Sequence, residues 1–498
     1  MSKRRSGSRL TLAAAVALTA SVTAPVAAHA ADARVTAAAK LHDDFNGDGF
    51  PDLAIGAPDT KVGHQAKAGA VSVLYGSATG LSTSRKQVLT WANSGGERPE
   101  SQYGTGLLSA DLDGDGYADL LSSVQSYMQD VDSGYAVVVN WGGPKGLSAT
   151  PTTLMWAPQY EWRGQFTVGD VDGDQRPDLV TAGADNWLGE QPDTYNGDGT
   201  VRHGPFTRTG QAAKKDYLTL DPDRVTSYKS LTTGDVNGDG VADVAVRVGS
   251  TEEPDSRRVV LLTGGPNGLT DKGGLKDTQG RSIGGEDVVI GDVNKDGYGD
   301  IVVGHSLDSY DSDVELPTRG GALGVVYGGP DGVSRTREPV WINQDTPGVP
   351  GAGEYQDGMG SGLSIADTNG DGYLDVATGL PGEDFDGLTD AGSVLVLRGS
   401  AGGLTGTGAR SFSQNTGGVP GAAEKADRFG TQTALVDADA DRTSGLVVGD
   451  PAENAGNGSV WVFAATSAGV TASGSLTFGA ATMGAPATGS RFGASLAD

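Results

Sequence analysis

The stretch Asp111-Leu-Asp113-Gly-Asp115-Gly-Tyr-Ala-Asp119 decides the fold of this chain, because it recurs along the whole sequence. Side-chain oxygens stand at its first, third, fifth and ninth positions, and an apolar segment follows at once. Five further intact copies begin at Asp44, Asp170, Asp235, Asp292 and Asp367. A seventh copy, at Asp437, has lost the ninth carboxylate and both glycines. The first aspartates lie 57 to 75 residues apart, which makes this a repeat protein with long units.

The copies concentrate carboxylates in a way that points to a bound cation. Three or four carboxylates within nine residues repel one another, so such a loop closes around a positive ion. Oxygen ligands without cysteine or histidine favour Ca²⁺ over transition metals. The front of the loop resembles an EF-hand, but its ninth residue is Asp and a strand-like segment follows directly, so the EF-hand interpretation fails. We predict side-chain ligands at positions one, three, five and nine, and a backbone carbonyl ligand at position seven.

The predicted ligands form six sets. In loops one to three they are Asp44, Asn46, Asp48, Phe50 and Asp52; Asp111, Asp113, Asp115, Tyr117 and Asp119; and Asp170, Asp172, Asp174, Arg176 and Asp178. In loops four to six they are Asp235, Asn237, Asp239, Val241 and Asp243; Asp292, Asn294, Asp296, Tyr298 and Asp300; and Asp367, Asn369, Asp371, Tyr373 and Asp375. A single Asp/Asn-Gly cluster would be equally compatible with a hairpin turn, but six copies in one register favour calcium.

Two loops depart from the pattern. Loop three has Gln175 where glycine would relieve a left-handed backbone, so we expect strain or weaker binding there. Loop seven retains Asp437, Asp439 and Asp441, and we expect a degraded site without full affinity.

The segments between the loops predict β-strands and no helices. A short apolar run follows each intact loop, such as Leu53-Ala-Ile55, and a second run such as Val259-Val-Leu-Leu262 follows later. Several short strands per unit predict a four-stranded antiparallel blade, and seven blades predict an all-β, seven-bladed β-propeller. Phe429-Gly430 precedes the seventh loop, and Phe492-Gly493 repeats this approach near the C-terminus without a loop after it. We therefore expect the N- and C-terminal strands to close the ring within one blade.

These units resemble the FG-GAP repeats of the integrin α-subunit β-propeller and of related bacterial secreted proteins. The family pattern is Phe-Gly, a strand, the Asp-rich loop, a strand and then Gly-Ala-Pro. The matching segments are Gly56-Ala57-Pro58 in repeat one, Met359-Gly360 and Gly379-Leu380-Pro381 in repeat six, and Phe429-Gly430 and Gly449-Asp450-Pro451 in repeat seven. Repeats three to five lack Phe-Gly and carry Val-Gly-Asp, Thr-Gly-Asp and Ile-Gly-Asp before the loop. The resemblance implies calcium loops between neighbouring strands and a role in adhesion or ligand binding.

The composition and the start of the chain indicate an exported protein. A basic opening, an apolar stretch from Leu10 to Val22 and the pattern Ala28-His29-Ala30 predict a signal peptide at residues 1–30. We expect the remaining residues 31–498 to form one secreted domain without a membrane span. The net charge of −27 argues against nucleic acid as a partner. Because there is no cysteine, stability must come from core burial and metal rather than from disulfides.

No catalytic constellation is recognisable, so we predict a binding module rather than an enzyme. The histidines His42, His64, His203 and His305 lack the paired spacing of zinc sites. The expected partner is an extracellular protein or a polysaccharide, and the oligomeric state stays open. A lectin-like alternative predicts aromatic residues gathered in repeated pockets on one face. A hydrolase or lyase predicts a deep axial pocket with convergent carboxylates or histidine.

Irregular segments are the candidate binding regions, because binding residues favour loops on a rigid scaffold. Residues 344–354 and 414–424 are near-duplicates, rich in glycine and proline, that precede repeats six and seven. The segment from Asp185 to Tyr228, which contains Trp187, is expected to be an insertion in repeat three.

Overall fold

The structure is a computed structural model that describes residues 43–91, 100–128, 131–158, 165–182, 199–218, 227–249, 258–308 and 319–497. These residues all belong to one compact unit, Leu41–Asp498. The predicted signal peptide, His42 and Trp187 lie outside the described residues.

The described chain is built of β-strands and two short helical turns. In the first four units the strands are β1 (Leu53–Ala57), β2 (Ala70–Leu74), β3 (Lys86–Thr90), β4 (Thr105–Ala110), β5 (Asp119–Met128), β6 (Val131–Asn140), β7 (Thr152–Pro158), β8 (Phe166–Gly169), β9 (Asp178–Ala182), β10 (Gly199–His203), β11 (Lys214–Leu218), β12 (Ser227–Gly234), β13 (Asp243–Gly249), β14 (Arg258–Thr263) and β15 (Thr270–Gly274). The remaining strands are β16 (Asp287–Gly291), β17 (Asp300–His305), β18 (Ala322–Val326), β19 (Gly328–Gly329), β20 (Gly332–Val333), β21 (Val340–Ile342), β22 (Ser361–Ala366), β23 (Asp375–Leu380), β24 (Ser393–Arg398), β25 (Thr405–Phe412), β26 (Gln432–Val436), β27 (Gly445–Asp450), β28 (Ser459–Ala464), β29 (Thr471–Phe478) and β30 (Ser495–Ala497). The helical turns are α1 (Glu453–Gly456) and α2 (Ala480–Met483).

Seven four-stranded antiparallel sheets form the blades of a propeller. Five of them use consecutive strands: β4–β7, β8–β11, β12–β15, β22–β25 and β26–β29. Blade five joins β16, β17, β18 and β21, and blade one joins β30, β1, β2 and β3. The innermost strand of each blade contacts the innermost strand of the next. This arrangement confirms the predicted all-β, seven-bladed β-propeller.

Blade one combines strands from distant parts of the chain. β30 pairs with β1 in antiparallel register, with Ala54 opposite Ala497, Ile55 opposite Leu496 and Gly56 opposite Ser495. β30 is therefore the innermost strand of blade one. In each of the other six blades, the innermost strand is the first of its four strands in the chain.

The core lies on the two middle strands of the blades, the second and third from the innermost edge, because neighbouring blades cover both faces of each sheet. All five residues of β1, β2 and β9 are buried, as are all six residues of β17 and β23. Burial on both faces explains why the sequence shows continuous apolar runs after the loops rather than alternation. The outermost strands are largely exposed, as in β11 and β25.

Glycines at the interface between blades explain the Phe-Gly and Gly-x-Pro segments. A Cβ added at Gly379 would lie 1.7 Å from the carbonyl oxygen of Gly430 in the next blade. Phe429, directly before Gly430, is fully buried and packs edge-on against Trp461 at a ring-centroid distance of 5.2 Å. The two segments thus belong to one contact, in which backbones approach closely beside an aromatic anchor.

The expected insertion in repeat three is wrong. Within the segment from Asp185 to Tyr228, β10 and β11 are the third and fourth strands of blade three, and β12 already begins blade four. β10 is amphipathic and β11 begins with two lysines on an exposed edge, so neither shows the apolar run that marks the inner strands.

Candidate metal centres

All seven Asp-rich loops lie at the same end of the blades. Each of loops two to seven connects the innermost strand to the second strand, as residues 111–119 do between β4 and β5. Loop one, residues 44–52, leads directly into β1. Because the innermost strands stand side by side, this connection places the loops on one face of the propeller, here called the loop face.

The seven loops share one backbone conformation. Positions four and six have positive φ angles in every loop, for example 72° at Gly47 and 87° at Gly49. Gln175 at position six of loop three has a φ of 67°, as the sequence predicted. Lys295 in loop five, and Ala440 and Arg442 in loop seven, also adopt this left-handed conformation. The degraded loop seven therefore keeps the shape of the intact loops at the cost of strain in two residues.

The first aspartate of each loop holds the turn together. Its Oδ2 accepts the N–H of position six in all seven loops, with N···O distances of 2.7 to 2.9 Å. The fifth carboxylate accepts a backbone hydrogen bond through Oδ1, from the N–H of position seven, in all seven loops. The second oxygen of the fifth carboxylate takes no part in this backbone contact; in loops four and six it accepts a side-chain N–H of Asn237 or Asn369 at 3.0 Å.

The ninth aspartate is the buried anchor of each intact loop. Asp52, Asp119, Asp178, Asp243, Asp300 and Asp375 all have 0% exposure. In loop two, Asp119 Oδ2 accepts the N–H of Leu112 at 2.9 Å and its Oδ1 that of Gly142 at 2.8 Å. The other five ninth aspartates repeat this pair of backbone contacts. The ninth residue therefore joins the loop to the hairpin between the third and fourth strands.

Burial makes these ninth carboxyls difficult to ionise. It raises the pKa of Asp52 to about 8, and that of Asp119 and Asp300 to about 7, from the ordinary 3.8. It raises the pKa of Asp178 and Asp243 to about 6. The backbone donors act in the opposite direction but do not offset the desolvation. A positive charge beside them favours the ionised form.

Neighbouring loops are hydrogen-bonded to each other around the loop face. The N–H of position eight donates to the carbonyl of position one in the preceding loop, as from Ala118 to Asp44 at 2.9 Å. The same contact joins loops four, five, six and seven to the loop before them. Pro51 and Pro177 occupy position eight in loops one and three and have no N–H to donate. There the contact from the following hairpin remains, through Ser77 to Ala438 and Phe206 to Leu112; blades two, four and six have this hairpin contact as well as the one from position eight.

Side chains at position seven add a second layer to this contact. The ring of Tyr117 covers Gly47 of loop one so closely that an added Cβ there would lie 2.5 Å from Cε1. The rings of Tyr298 and Tyr373 lie likewise beside Gly238 and Lys295 of the preceding loops. Each loop is therefore part of the interface between two blades.

Arginine side chains lie beside the third, fifth or ninth carboxylates in four loops, the longest contact being that of Arg176 with Asp174 Oδ2 at 3.7 Å in loop three. Arg85 contacts Asp48 Oδ2 at 2.5 Å. Arg208, from the hairpin of blade three, contacts Asp113 Oδ2 at 2.6 Å and Asp115 Oδ2 at 2.5 Å in loop two. Arg398 contacts Asp375 Oδ2 at 2.8 Å. The loops thus attract positive charge at the oxygens that the sequence assigned to a metal.

Three loops bring several potential ligand groups into one cluster. Ligand atoms of Asp111, Asp113 and Asp115, of Asp170, Asp172 and Asp174, and of Asp437, Asp439 and Asp441 each lie within 4.8 Å of one another. Loops one, four, five and six have Asn at position three and so bring fewer carboxylates together. In loop five, the Oδ1 of the buried Asn294 has no hydrogen-bond partner among the described residues.

Sequence reasoning missed the side chains that reach the loops from the hairpins, including a histidine. His203 ends β10 and lies 2.9 Å, through Nδ1, from Asp172 Oδ2 of loop three. Ligand atoms of Asp172, Asp178 and His203 form a fourth cluster within 4.8 Å. Single histidines with no paired spacing gave no signal, because the blade brings His203 to a loop 25 residues earlier in the chain.

The fold and the loops together define a seven-bladed β-propeller with Asp-rich loops on one face. FG-GAP repeat models match residues 42–74, 228–253 and 359–397, and an FG-GAP-like repeat model matches residues 111–181. The chain therefore carries FG-GAP repeats and is an integrin-like FG-GAP propeller.

Curated relatives share parts of this chain. Phosphatidylinositol-glycan-specific phospholipase D of Rattus norvegicus is 41% identical over 85 residues, which cover 16% of this chain and 9% of that protein. Integrin alpha-PS2 of Drosophila melanogaster is 28% identical over 172 residues, covering 31% and 11%. Human integrin alpha-6 is 35% identical over 120 residues, covering 24% and 9%. The chain spans about a tenth of the length of these relatives. No helix among the described residues is long and apolar enough to cross a membrane.

Proposed function

We propose that the six intact loops bind Ca²⁺ and that the bound ions hold neighbouring blades together. The observation that carries this proposal is the chain of backbone contacts between loops, in which the first residue of one loop accepts the N–H of the next. An ion that fixes one loop thereby also fixes the surface on which the following loop rests. The buried ninth carboxylate extends this effect to the hairpin of the same blade.

The donor set fits a hard cation. Every predicted side-chain ligand in the six loops is a carboxylate or an amide oxygen. The fifth carboxylates keep one oxygen outside the backbone hydrogen bonds, and Asn294 Oδ1 is buried without a partner among the described residues. Extracellular calcium sites of this kind have Kd values of about 10⁻⁴ to 10⁻³ M, which suits millimolar calcium. Loop seven, without a ninth carboxylate, is excluded from the proposed set.

The test compares one ligand variant with one surface variant. Asp239→Asn removes the exposed fifth carboxylate of loop four, and Asp331→Asn removes an exposed carboxylate outside the loops. After equilibrium dialysis against millimolar calcium, we expect elemental analysis to find six protein-bound Ca²⁺ per chain in the native protein and in D331N, and five in D239N. Calcium should raise the melting temperature of all three proteins, because an ion bound only by the native state stabilises it.

Two results would contradict the proposal. One is a native protein that retains no calcium and melts at the same temperature with calcium and with chelator. The other is equal calcium content in the native protein and D239N, which would place the ions outside the loops.

We also propose that pairing of β30 with β1 closes the ring. The pairing joins residues 53–57 to residues 495–497, and Ser495 Oγ additionally donates to the carbonyl of Gly104 in blade two. With this blade formed, all seven blades have four strands, and each innermost strand contacts the innermost strands of the two neighbouring blades.

For the whole protein we propose a secreted module that binds an extracellular protein or polysaccharide. The integrins among its relatives, the leader-like residues 1–30 and a rigid scaffold with irregular loops support this. A phospholipase D among the relatives matches over only 9% of its own length, which gives no ground to transfer its activity. The exposed large aromatic residues among those described are Trp156, Tyr217 and Tyr355, in three different units.

A binding screen tests this second part. Purified protein is applied to glycan and matrix-protein arrays with calcium and with chelator. We expect saturable binding to a ligand in calcium and loss of this binding with chelator, because loss of the ions loosens the loop face. Binding to glycans alone would favour the lectin alternative, and turnover of an arrayed substrate would replace the binding module with an enzyme.

A further inference from the structure

Loop three differs from the other loops in having a buried imidazole beside its carboxylates. His203 is 7% exposed, and its Nδ1 lies 2.9 Å from Asp172 Oδ2 and 3.5 Å from Asp178 Oδ1. Despite these short distances, Nδ1 makes no hydrogen bond of acceptable geometry among the described residues. A buried nitrogen directed at two carboxylates without such a bond is explained by a cation among the three groups.

The other ring nitrogen is held in the way expected of a metal-bound histidine. Nε2 lies 3.1 Å from Asp216 Oδ2, within hydrogen-bonding distance. Lys214 contacts the same carboxylate oxygen at 2.5 Å, so Asp216 is part of an ion pair. When Nε2 donates to this carboxylate, the lone pair of Nδ1 points towards Asp172 and Asp178. Metal-binding histidines are oriented by such a carboxylate on the far nitrogen.

The spacing of the three groups fits a small divalent ion. Their ligand atoms lie within 4.8 Å of one another. Two ligands about 2.1 Å from a tetrahedral zinc ion lie about 3.4 Å apart. The 3.5 Å between Nδ1 and Asp178 Oδ1 agrees with this value, and the 2.9 Å to Asp172 requires a small outward shift.

Blade six shows independently that this position takes positive charge. His203 directly precedes Gly204, whose N–H donates to the ninth carboxylate Asp178 at 3.0 Å. Arg398 stands at the same place, before Gly399 and beside the ninth carboxylate Asp375. The equivalent residues of blades one, two, four and five are Tyr75, Trp141, Thr263 and Tyr327. Among these six blades, only blade three has at this position a ring nitrogen without a hydrogen bond to the residues described, Nδ1 of His203. Only blade six has a permanently charged side chain there, Arg398.

We propose that Asp172, Asp178 and His203 form a mixed nitrogen–oxygen site for a divalent transition-metal ion, with Zn²⁺ as the probe. Imidazole ligands favour transition metals, whereas the remaining loops offer oxygen alone and suit calcium. Gln175 in the same loop has a φ of 67°, and we expect this strain to weaken the competing oxygen site there. The proposal stands whether or not the other loops hold calcium.

The experiment uses the full chain in millimolar calcium, dialysed against micromolar Zn²⁺. We expect one zinc per chain in the native protein and none above background in His203→Gln. The matched control is His64→Gln, which changes an exposed histidine outside the loops and should keep the zinc. Asp216→Asn removes only the orienting carboxylate, which is 46% exposed, and should weaken zinc binding about tenfold.

X-ray absorption at the zinc edge identifies the ligands directly. We expect one imidazole nitrogen among oxygen ligands in the native protein. An all-oxygen shell, equal zinc content in H203Q and the native protein, or no zinc retained by the native protein would each overturn the proposal. The last result is expected if His203 instead carries protons on both nitrogens and pairs with Asp172 and Asp216. If H203Q does not fold, D216N and the absorption spectrum still decide.

Discussion

Four residues other than glycine adopt the left-handed backbone that the loops require. They are Gln175, Lys295, Ala440 and Arg442, with φ angles between 57° and 75°. For such residues this conformation costs about 1 to 2 kcal/mol each, because Cβ approaches the following carbonyl oxygen. The strain persists because the first aspartate of the loop accepts the N–H groups of the turn. Loops three, five and seven therefore carry backbone strain at position four or six. Loops one, two, four and six have glycine at both positions and avoid this strain.

A reciprocal pair of substitutions at position six tests this. Gln175→Gly should stabilise the chelated protein by up to about 1 kcal/mol, because relief of strain exceeds the extra entropy of glycine in the unfolded chain. Gly240→Gln in loop four should destabilise it by about 1 kcal/mol. A Cβ at Gly240 would meet nothing within 4 Å, so the effect of G240Q belongs to the backbone alone. Urea unfolding in chelator measures both, and changes of the same sign in the two variants would show that backbone strain is not the cause.

At the scale of the strand, the innermost element of each blade has the greatest structural role. It borders the loop, contacts the innermost strands of two neighbouring blades and pairs with the buried second strand. In blade one this element is the three-residue β30, which is shorter than the innermost strands β12 and β22 of blades four and six. Its contribution to stability is large for its length, because the β1 edge that it covers is completely buried.

A chain that ends at Ala494 tests the role of β30. Its removal leaves β1 with an unpaired edge and takes Leu496 out of the core cluster of blade one. We expect a loss of about 3 kcal/mol or more in the free energy of unfolding and a broader transition in urea. The control is Ser495→Ala, which keeps the strand, loses one hydroxyl contact and should cost no more than about 1 kcal/mol. An unchanged midpoint for the shortened chain would show that the ring does not depend on this pairing.

The sequence predicted the inner strands and loops well, because their physical requirements are local. An apolar run such as Ile301-Val-Val303 is buried on both faces, and the turn before it needs aspartates at fixed spacing. β11, in contrast, begins Lys214-Lys215 on an exposed edge, and no local rule separates such a strand from a loop. The contacts of His203 and Arg398 with their loops also had no local signal, because they depend on how a hairpin folds back over the loop of its own blade.

At the scale of the whole molecule, the two ends of the blades have different chemistry. The near-duplicate segments, residues 344–354 and 414–424, lie on the face opposite the loops. Both are held there by the same hydrogen bond, from the glutamine at the start of the segment to a glutamate. Gln344 donates to Glu383 at 2.9 Å and Gln414 donates to Glu453 at 3.0 Å. The segments are irregular, as predicted, but hydrogen bonds to partly buried acidic groups hold them in place.

These buried acids make the metal-free protein sensitive to pH. Burial raises the pKa of Asp450 to about 8, and its Oδ2 has no hydrogen-bond partner among the described residues. Burial also raises the pKa of Glu383 to about 7. The unfolded chain releases these protons near pH 4, whereas the native protein keeps them until pH 7 to 8. The native state therefore binds more protons across this interval, and stability falls as the pH rises through it.

Asp450→Asn isolates this contribution, because asparagine resembles the neutral form of the acid at every pH. In chelator, the native protein should lose stability between about pH 5 and pH 8.5, and D450N should lose less, by at least about 1 kcal/mol at the upper end. Asp331→Asn, at an exposed carboxylate that pairs with Arg335, should follow the native curve. Urea midpoints across the pH range give the comparison. Parallel curves for D450N and the native protein would mean that Asp450 is already ionised near pH 5, and that the cluster around Glu453 and Asp427 accommodates its charge.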